Sequence, residues 1–151
     1  MFAMGDKKLT AYVDGSFNPE IGKYAYGLVL IEGPDVIDEI CGCGNDPEAV
    51  KQRNVSGEMI ASMLSVQYAL KNGFNAVDIY YDYSGIECWV TGAWKAKNEL
   101  TKKYRDWMNA KSKGISIKFF KVAAHTNDKY NEMADKLAKH GLTMDPGLPE
   151  I

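Results

Sequence analysis

Residues Thr10–Ser16 read TAYVDGS, and this short stretch predicts the first strand and the first candidate functional residue of the chain. The alternation that starts at Leu9 is typical of a half-buried strand, which then runs directly into the acid Asp14. Asp-Gly is a common hairpin signal, so an ordinary turn after Asp14 would explain the pattern without any function. The alternative is that Asp14 binds a metal at a strand end, which predicts further acids in comparable positions.

The composition indicates one globular domain. The chain has 151 residues, 46% of them hydrophobic, and no run approaches the roughly 18 apolar residues of a membrane span. The first residues lack the long apolar stretch of a secretory signal. The three cysteines, Cys41, Cys43 and Cys88, include no second pair for a zinc site, so we expect reduced thiols in a cytoplasmic protein.

Five segments have the residue pattern of strands, and the chain changes to a helical period between the third and the fourth. The strands are predicted over residues 9–14, 24–32, 36–43, 76–82 and 115–123. An amphipathic helix before the fourth strand is predicted by the stripe Met59, Met63, Val66 and Leu70. Further helical segments precede the fifth strand, and a last helix follows it. This order predicts an α/β domain with a mixed sheet whose first three strands form an antiparallel meander.

Several acids fall at comparable places along this predicted fold. Asp82 ends the fourth strand as Asp14 ends the first, and parallel neighbouring strands would bring both carboxylates to one edge of the sheet. Two carboxylates at such a short distance repel one another unless a cation lies between them. Glu58, in the first turn of the long helix, is more simply explained by the helix dipole, and Asp135 by the solvated side of the last helix. The pattern alone leaves these alternatives open.

One histidine also lies where it could take part in chemistry. His125 follows the fifth strand in the segment VAAHTND, ten residues before Asp135. A strand-to-helix turn suits a proton shuttle near a metal site, although a lone histidine is more commonly structural or exposed.

The distribution of charge indicates a candidate phosphate-binding surface. The formal net charge is −2, yet nine Lys or Arg residues lie between Lys95 and Lys121, opposed only by Glu99 and Asp106. The rest of the chain carries nine basic and eighteen acidic residues. A locally basic region on an acidic protein can bind phosphates, and a solvated helix face is the alternative explanation.

Four motifs in order resemble the type 1 ribonuclease H family. They are YVDGSFN, SGE at the start of a helix, YYDYSGIECW and KVAAHTNDKYNEMADKLA. The segment is most similar to bacterial members whose catalytic domain follows a viroplasmin-like, hybrid-binding domain. The resemblance implies a ribonuclease H-like fold, a five-stranded mixed sheet flanked by helices. We expect a catalytic domain over residues 9–142, an N-terminal tail over 1–8 and a loose C-terminal tail over 143–151.

The resemblance also implies an activity. It is endonucleolytic hydrolysis of the RNA strand in RNA–DNA hybrids, which leaves 5′-phosphate and 3′-hydroxyl ends. An RNA–DNA hybrid is then the binding partner. We expect the protein to be a monomer that needs no protein partner and does not associate with a membrane.

The residues that match the family pattern are the acids Asp14, Glu58, Asp82 and Asp135, with His125 as the loop histidine. The carboxylates would hold two Mg²⁺ ions about 4 Å apart, for which Mn²⁺ could substitute. Asp14 would lie at or beside the bridge between the metals. Asp82 and Asp135 would share the attacking side, and Glu58 would bind the leaving-group side near the ribose 2′-hydroxyl.

The expected substrate contacts are Gly15, Ser16, Asn18, Asn54, Trp94 and Lys95, of which Asn54 matches a family position that contacts the minor groove of the substrate. Gly15 would let the backbone approach the RNA minor groove, where neighbouring polar side chains bond sugar hydroxyls. The sequence departs from many members because their basic helical protrusion is missing or short here. Trp89, Trp94 and the basic cluster Lys95–Arg105 are therefore expected to bind the DNA strand by stacking and phosphate contact. Packing in the core is the alternative for both tryptophans, and it is favoured for Trp89.

Other functions fit this sequence less well. A 3′–5′ exonuclease of related fold usually carries a second acid two residues after the first, where this chain has Ser16. A non-catalytic hybrid-binding module gains nothing from clustered carboxylates, because phosphates repel them. Origin in a larger polyprotein such as a reverse transcriptase stays open. Tyr83 stands where many relatives have serine, and the sequence assigns it no role.

Overall fold

The computed structural model of the chain describes residues 7–123 and 128–151 and contains one five-stranded sheet. The strands are β1 Lys8–Asn18, β2 Lys23–Glu32, β3 Asp35–Gly44, β4 Ala76–Tyr81 and β5 Ser116–Lys121. They are ordered β3-β2-β1-β4-β5 across the sheet. β2 is antiparallel to β1 and β3, whereas β4 is parallel to β1 and β5, which confirms the predicted mixed sheet.

Helices cover both faces of the sheet. They are α1 Pro47–Val50, α2 Asn54–Lys71, α3 Gly85–Thr91, α4 Glu99–Lys111 and α5 Lys129–Gly141. Along β2, Leu28 and Leu30 pack in the large core with α2, while Val29 and Ile31 pack with Ala134 of α5. This alternation follows the period of two in a strand, and it places α2 and α5 on opposite faces.

The first strand is longer than predicted. β1 continues to Asn18, because its antiparallel pairing with β2 extends past Asp14 as far as the pair Asn18–Lys23. Its parallel pairing with β4 stops earlier, at Tyr12 beside Tyr80. The Asp-Gly pair is therefore not a turn. Asp14 instead lies in the part of β1 that is still paired with β2 but no longer paired with β4.

The long helix is more deeply buried than an amphipathic stripe requires. Met59 and Val66 of the predicted stripe are buried, but Leu70 is 39% exposed, so the stripe was only partly right. α2 packs on the sheet and also contacts α3 and α4, which buries most of its circumference. The hydroxyls of Ser62 and Ser65 donate to carbonyls one turn earlier, so these serines are buried with their hydrogen bonds satisfied.

The sequence predicted a loose C-terminal tail, and this prediction is wrong. The segment is held against β3 and α2. The Gly147 N–H donates to the Cys43 carbonyl at 3.0 Å, and the Lys23 ammonium donates to the Met144 carbonyl at 2.9 Å. The Gln67 amide donates to the Glu150 carbonyl at 3.0 Å. Most of these bonds involve main-chain atoms of the segment, which its sequence cannot reveal.

Two simpler expectations can also be compared with the structure. All three cysteines are free, as predicted. In the part of the chain that the structure describes, none of the helices combines the length and the hydropathy of a membrane span.

Candidate active site

Asp14 and Asp82 occupy equivalent positions on neighbouring parallel strands. Tyr12 pairs with Tyr80, and each acid follows two residues later, so both lie at the carboxyl end of the β1–β4 ladder. Asp82 comes directly after β4 and is exposed, whereas Asp14 is largely shielded within β1. The Asp14 carboxylate accepts the N–H of Gly15 at 2.9 Å. The predicted juxtaposition of the two acids is what this topology produces.

Glu58 joins this group from α2. It lies in the second turn of the helix and is only 3% exposed, so the helix-dipole explanation for a first-turn acid was wrong. One carboxylate oxygen accepts the Asp82 N–H at 2.8 Å, and the other accepts the Tyr83 N–H at 3.1 Å. The Glu58 carboxylate therefore faces the end of β4 rather than solvent.

The electrostatics of the site disfavour negative charge. The pKa of Glu58 is raised to about 8, mainly by burial and in part by the nearby Asp14 and Asp82 charges, while the two N–H donors act in the opposite direction. Burial likewise raises the pKa of Asp14 well above its ordinary value, and the Asp135 and Asp82 carboxylates add to that shift. Carboxyl groups with strongly raised pKa values are common at functional sites, and a bound cation would offset the repulsion between them.

Asp135 reaches the group from α5. Its side chain is 43% exposed and pairs with the Lys139 ammonium at 2.9 Å, one turn along the helix. Its charge nevertheless acts on Asp14, so it is not merely part of a solvated face. An exposed ion pair of this kind contributes little stability, and a stronger ligand could replace Lys139 at small cost.

The four carboxylates are near one another but do not form a closed cage. Within residues 7–123 and 128–151, no three Asp, Glu, Cys or His side chains are grouped so that they could enclose a metal as they stand. Two contacts contribute to this spacing: the Glu58 oxygens are held by backbone N–H groups, and Asp135 is held by Lys139. Their chemistry still fits a hard divalent cation, since every donor is an oxygen.

The raised pKa of Glu58 predicts a pH-dependent stability. In metal-free protein the folded state holds this proton more tightly than the unfolded chain, so the contribution is complete below the ordinary carboxyl pKa and lost as pH rises towards about 8. Between about pH 5 and 8, the free energy of unfolding should fall more in the native protein than in Glu58→Gln, by on the order of a few kcal/mol. Denaturant titrations in chelator measure this, with the exposed Glu48→Gln as control. Parallel curves for the native protein and Glu58→Gln would contradict the assignment.

Gly15 has a packing role that the sequence did not show. A Cβ at this position would collide with the Asn54 carbonyl and lie 2.7 Å from the Glu58 nitrogen, so the side of the glycine that a methyl would occupy faces α2. Packing against α2 is thus sufficient to explain the missing Cβ, and contact of the Gly15 backbone with RNA stays a prediction. Glycine is required here for close packing of β1 against the start of α2.

The other predicted contacts near β1 surround the same corner. Ser16 and Asn18 lie on β1 beyond Asp14, partly exposed, rather than in a turn. Asn54 is exposed and is the first residue of α2. Before it, Arg53 adopts a left-handed backbone with φ of 57°, and its guanidinium lies 5.0 Å from the centre of the Phe17 ring. These side chains adjoin the carboxylates, and their contact with substrate stays a prediction.

Trp94 and Lys95 lie on the segment between α3 and α4, where the structure has no helical protrusion in residues 92–98. Trp94 is 41% exposed, and its ring makes edge contacts with Trp89 and with Tyr83. Trp89 is buried in the core, as predicted. Lys95 is exposed. The Trp94 ring therefore stands beside Tyr83, the residue that follows Asp82.

Two features of the site were not predicted from the sequence, the backbone donors to Glu58 and the ion pair of Asp135. The Asp82 and Tyr83 N–H donors to Glu58 were missed, because a backbone donor has no sequence signature. The i, i+4 spacing of Asp135 and Lys139 was the one available signal for that ion pair. His125 lies outside the described residues, so its role stays a prediction.

Comparisons with known proteins agree with the motifs. The RNase H family model matches residues 6–143. A protein named Ribonuclease H from Ehrlichia chaffeensis is 29% identical over 145 residues, which cover 87% of this chain and 92% of that protein. A Chlorobium luteolum protein of the same name is 28% identical over 153 residues, covering 93% of this chain and 99% of its own.

Solved structures share the fold. RNase H1 from Halobacterium salinarum NRC-1 has a TM-score of 0.75 at 24% identity, over 90% of this chain and 98% of its own. LC11-RNase H1, solved in complex with an RNA/DNA hybrid, has a TM-score of 0.69 at 15% identity, over 89% of this chain and 99% of its own. These likenesses confirm the predicted fold class. Because the family model also spans nearly the whole chain, the family that the motifs predicted is confirmed, and the chain belongs to the RNase H family of nucleases.

Proposed function

We propose that this chain is an endoribonuclease that hydrolyses the RNA strand of RNA–DNA hybrids with two divalent metal ions, Mg²⁺ or, as a substitute, Mn²⁺. The products are 5′-phosphate and 3′-hydroxyl ends. Membership of the RNase H family supports the reaction, and the fold shared with a hybrid-bound RNase H1 supports the substrate. The observation that carries the proposal is the meeting of Asp14, Glu58 and Asp82 at one end of the sheet.

We assign metal binding to the four carboxylates Asp14, Glu58, Asp82 and Asp135. Bound ions would stabilise the negative charge that develops on the phosphate in the transition state and would lower the pKa of the attacking water. Glu58 lies in a buried position and Asp14 in a half-buried one, so packing and hydrogen bonds would hold their oxygens in place for a metal. Asp82 and Asp135 are more exposed and can adjust towards it. His125 is proposed to act as a proton shuttle near the metal site.

We assign strand selection to the surroundings of Asp14. Ser16 and Asn18 on β1, with Asn54 at the start of α2, are proposed to bond the ribose 2′-hydroxyls that distinguish RNA from DNA. Trp94 and Lys95 are proposed to hold the DNA strand. Catalysis is proposed for residues 9–142, with 1–8 and 143–151 as flanking segments. The free cysteines support a cytoplasmic protein, and we propose that it acts as a monomer.

The decisive experiment offers three labelled duplexes, RNA–DNA, RNA–RNA and DNA–DNA, with and without Mg²⁺. We expect internal cuts in the RNA of the hybrid, only with metal, and end-group analysis should find 5′-phosphates. Equal cutting in excess chelator, preference for the DNA duplex, or stepwise shortening from a 3′ end would contradict the proposal.

The basic residues of α4 predict a salt-dependent substrate affinity. Lys102 and Lys103 are exposed, so replacing both by Gln should weaken hybrid binding and flatten the dependence of log K on log salt. Each lost phosphate contact should lower the slope by up to about one unit. The control replaces Lys7 and Lys71, at the opposite end of the sheet, with the same change of charge. An unaltered slope in the Lys102/Lys103 variant would show that α4 presents only a solvated face.

A further inference from the structure

The face of the sheet that carries α5 also presents a column of aromatic rings with no role in the proposed reaction. Tyr12, Tyr80 and Phe120 lie side by side on β1, β4 and β5, because the parallel ladders pair them in one row. The Tyr12 and Tyr80 ring centres are 4.6 Å apart with planes 12° from parallel, and those of Tyr80 and Phe120 are 5.0 Å and 20°. Tyr130 of α5 lies at the other end, 5.5 Å from Tyr12. We call these four rings the aromatic column.

The end of the aromatic column at Phe120 is open. α5 packs mainly on β1, β2 and β3, and β5 is the edge strand of the sheet. Among residues 7–123 and 128–151, no further strand lies beside the Phe120 ring on the side away from Tyr80, and Phe120 is 39% exposed. A nucleobase can continue such a stack, and base–aromatic stacking does not depend on which base is present.

A positive charge accompanies the open ring. Lys118 is exposed and lies two residues before Phe120, which places it on the same face of β5. Its neighbour on β4 is Asp78, whose carboxylate is already paired with the Lys8 ammonium at 3.0 Å. A ring for the base and a cation for the phosphate are the two elements that hold single-stranded nucleic acids.

The aromatic column lies on the same strands as the proposed catalytic carboxylates, one step of two residues before them. Asp14 and Asp82 follow Tyr12 and Tyr80 by two residues, which is roughly 7 Å along the strands. Phe120 is two strands from β1, roughly 10 Å across the sheet, so it lies roughly 12 Å from Asp14. At about 3.4 Å per nucleotide, this is a reach of about three or four nucleotides.

We propose that Phe120 and Lys118 form a stacking site for single-stranded RNA that leaves the hybrid next to the cut. The inference rests on the proposed function, because the RNA is then the strand that passes over the carboxylates. A base still paired in the hybrid is stacked on its own neighbours, so only an unpaired flank can use the ring. The site holds the junction between hybrid and single strand at a fixed distance from the carboxylates and so directs cutting to the end of the hybrid.

The test compares a blunt hybrid with hybrids whose RNA strand, or whose DNA strand, extends by about six nucleotides at one end or the other. For one of the two RNA extensions, at the 5′ or at the 3′ end, cuts should concentrate about three or four nucleotides from the junction. The affinity for that hybrid should exceed the affinity for the blunt hybrid about five- to tenfold. Phe120→Leu should lose both gains, and Phe120→Trp should keep them. The control is Ile37→Ala, an equally exposed apolar residue on the opposite edge strand, which should behave as the native protein does.

Affinity is measured in excess chelator, so the stacking site can be tested even if the chain cuts no hybrid. RNA-dependent binding that requires Phe120, without any cleavage, would keep this inference and overturn the proposed function. Equal gains from a DNA extension, or unchanged gains in a folded Phe120→Leu protein, would overturn the inference and leave the proposed function intact. Thermal unfolding shows that each variant is folded, and Lys118→Gln, on an exposed side chain, provides a second loss-of-binding variant.

Discussion

Asp82→Asn is expected to lower the turnover of an RNA–DNA hybrid by at least about 10⁴-fold, or roughly 5 kcal/mol of transition-state stabilisation. The substitution keeps the shape of the side chain but removes a charge that, in the proposed mechanism, holds the metal ions. The fold should survive, because Asp82 is exposed and it is its backbone N–H, not its side chain, that donates to Glu58. Hybrid binding should be largely intact, since the substitution does not touch the proposed strand contacts.

The metal-free stability of this variant separates a functional carboxylate from a structural one. Removing the Asp82 charge relieves its repulsion of Asp14 and Glu58, so the melting temperature in chelator should be equal or higher. Asp106→Asn, an exposed aspartate on α4, provides the matched control for activity. Near-native turnover by Asp82→Asn would show that the metal ions bind elsewhere.

His125→Ala is expected to slow the reaction by roughly 10²–10⁴-fold without abolishing it. In the proposed mechanism the carboxylates hold the metal ions that stabilise the transition state, whereas the histidine only assists proton movement or product release. The residual activity should therefore still require Mg²⁺, and the pH–rate profile should change shape near neutral pH. Steady-state rates across a pH series measure both effects.

The second histidine of the chain provides the control for this experiment. His140 is exposed at the end of α5, and His140→Ala should retain native rates. A His125→Ala protein as inactive as Asp82→Asn, or one with native rates, would reject the proton-shuttle role. Either result would favour a structural role for His125.

The topology of the sheet was predictable because it depends on local patterns and connection rules. Three strands joined by short turns form a meander, and a helix between strands brings the fourth back parallel to the first. The end of β1 was not predictable in this way. Whether the chain turns at Asp14 or continues to Asn18 depends on the length of β2, its partner across the sheet.

Within the site, the acids on strands were easier to predict than the acids on helices. Asp14 and Asp82 follow recognisable strands, so the topology alone brings them together. Glu58 and Asp135 each have a simple local explanation, and only packing shows that both face Asp14. The resemblance to a family identified them, whereas residue patterns in one sequence did not distinguish them from ordinary helix acids.

The hydrogen bonds between Glu58 and the end of β4 provide a spectroscopic probe of the site. The amide protons of Asp82 and Tyr83 point at the two oxygens of a single carboxylate, so their chemical shifts must respond to its charge. A pH titration through the raised pKa of Glu58 would change the charge of that acceptor, and a metal ion would withdraw its electron density. Each event should move the two NMR signals together. Metal affinity and proton affinity could thus be read from two backbone resonances, without nucleic acid and without turnover.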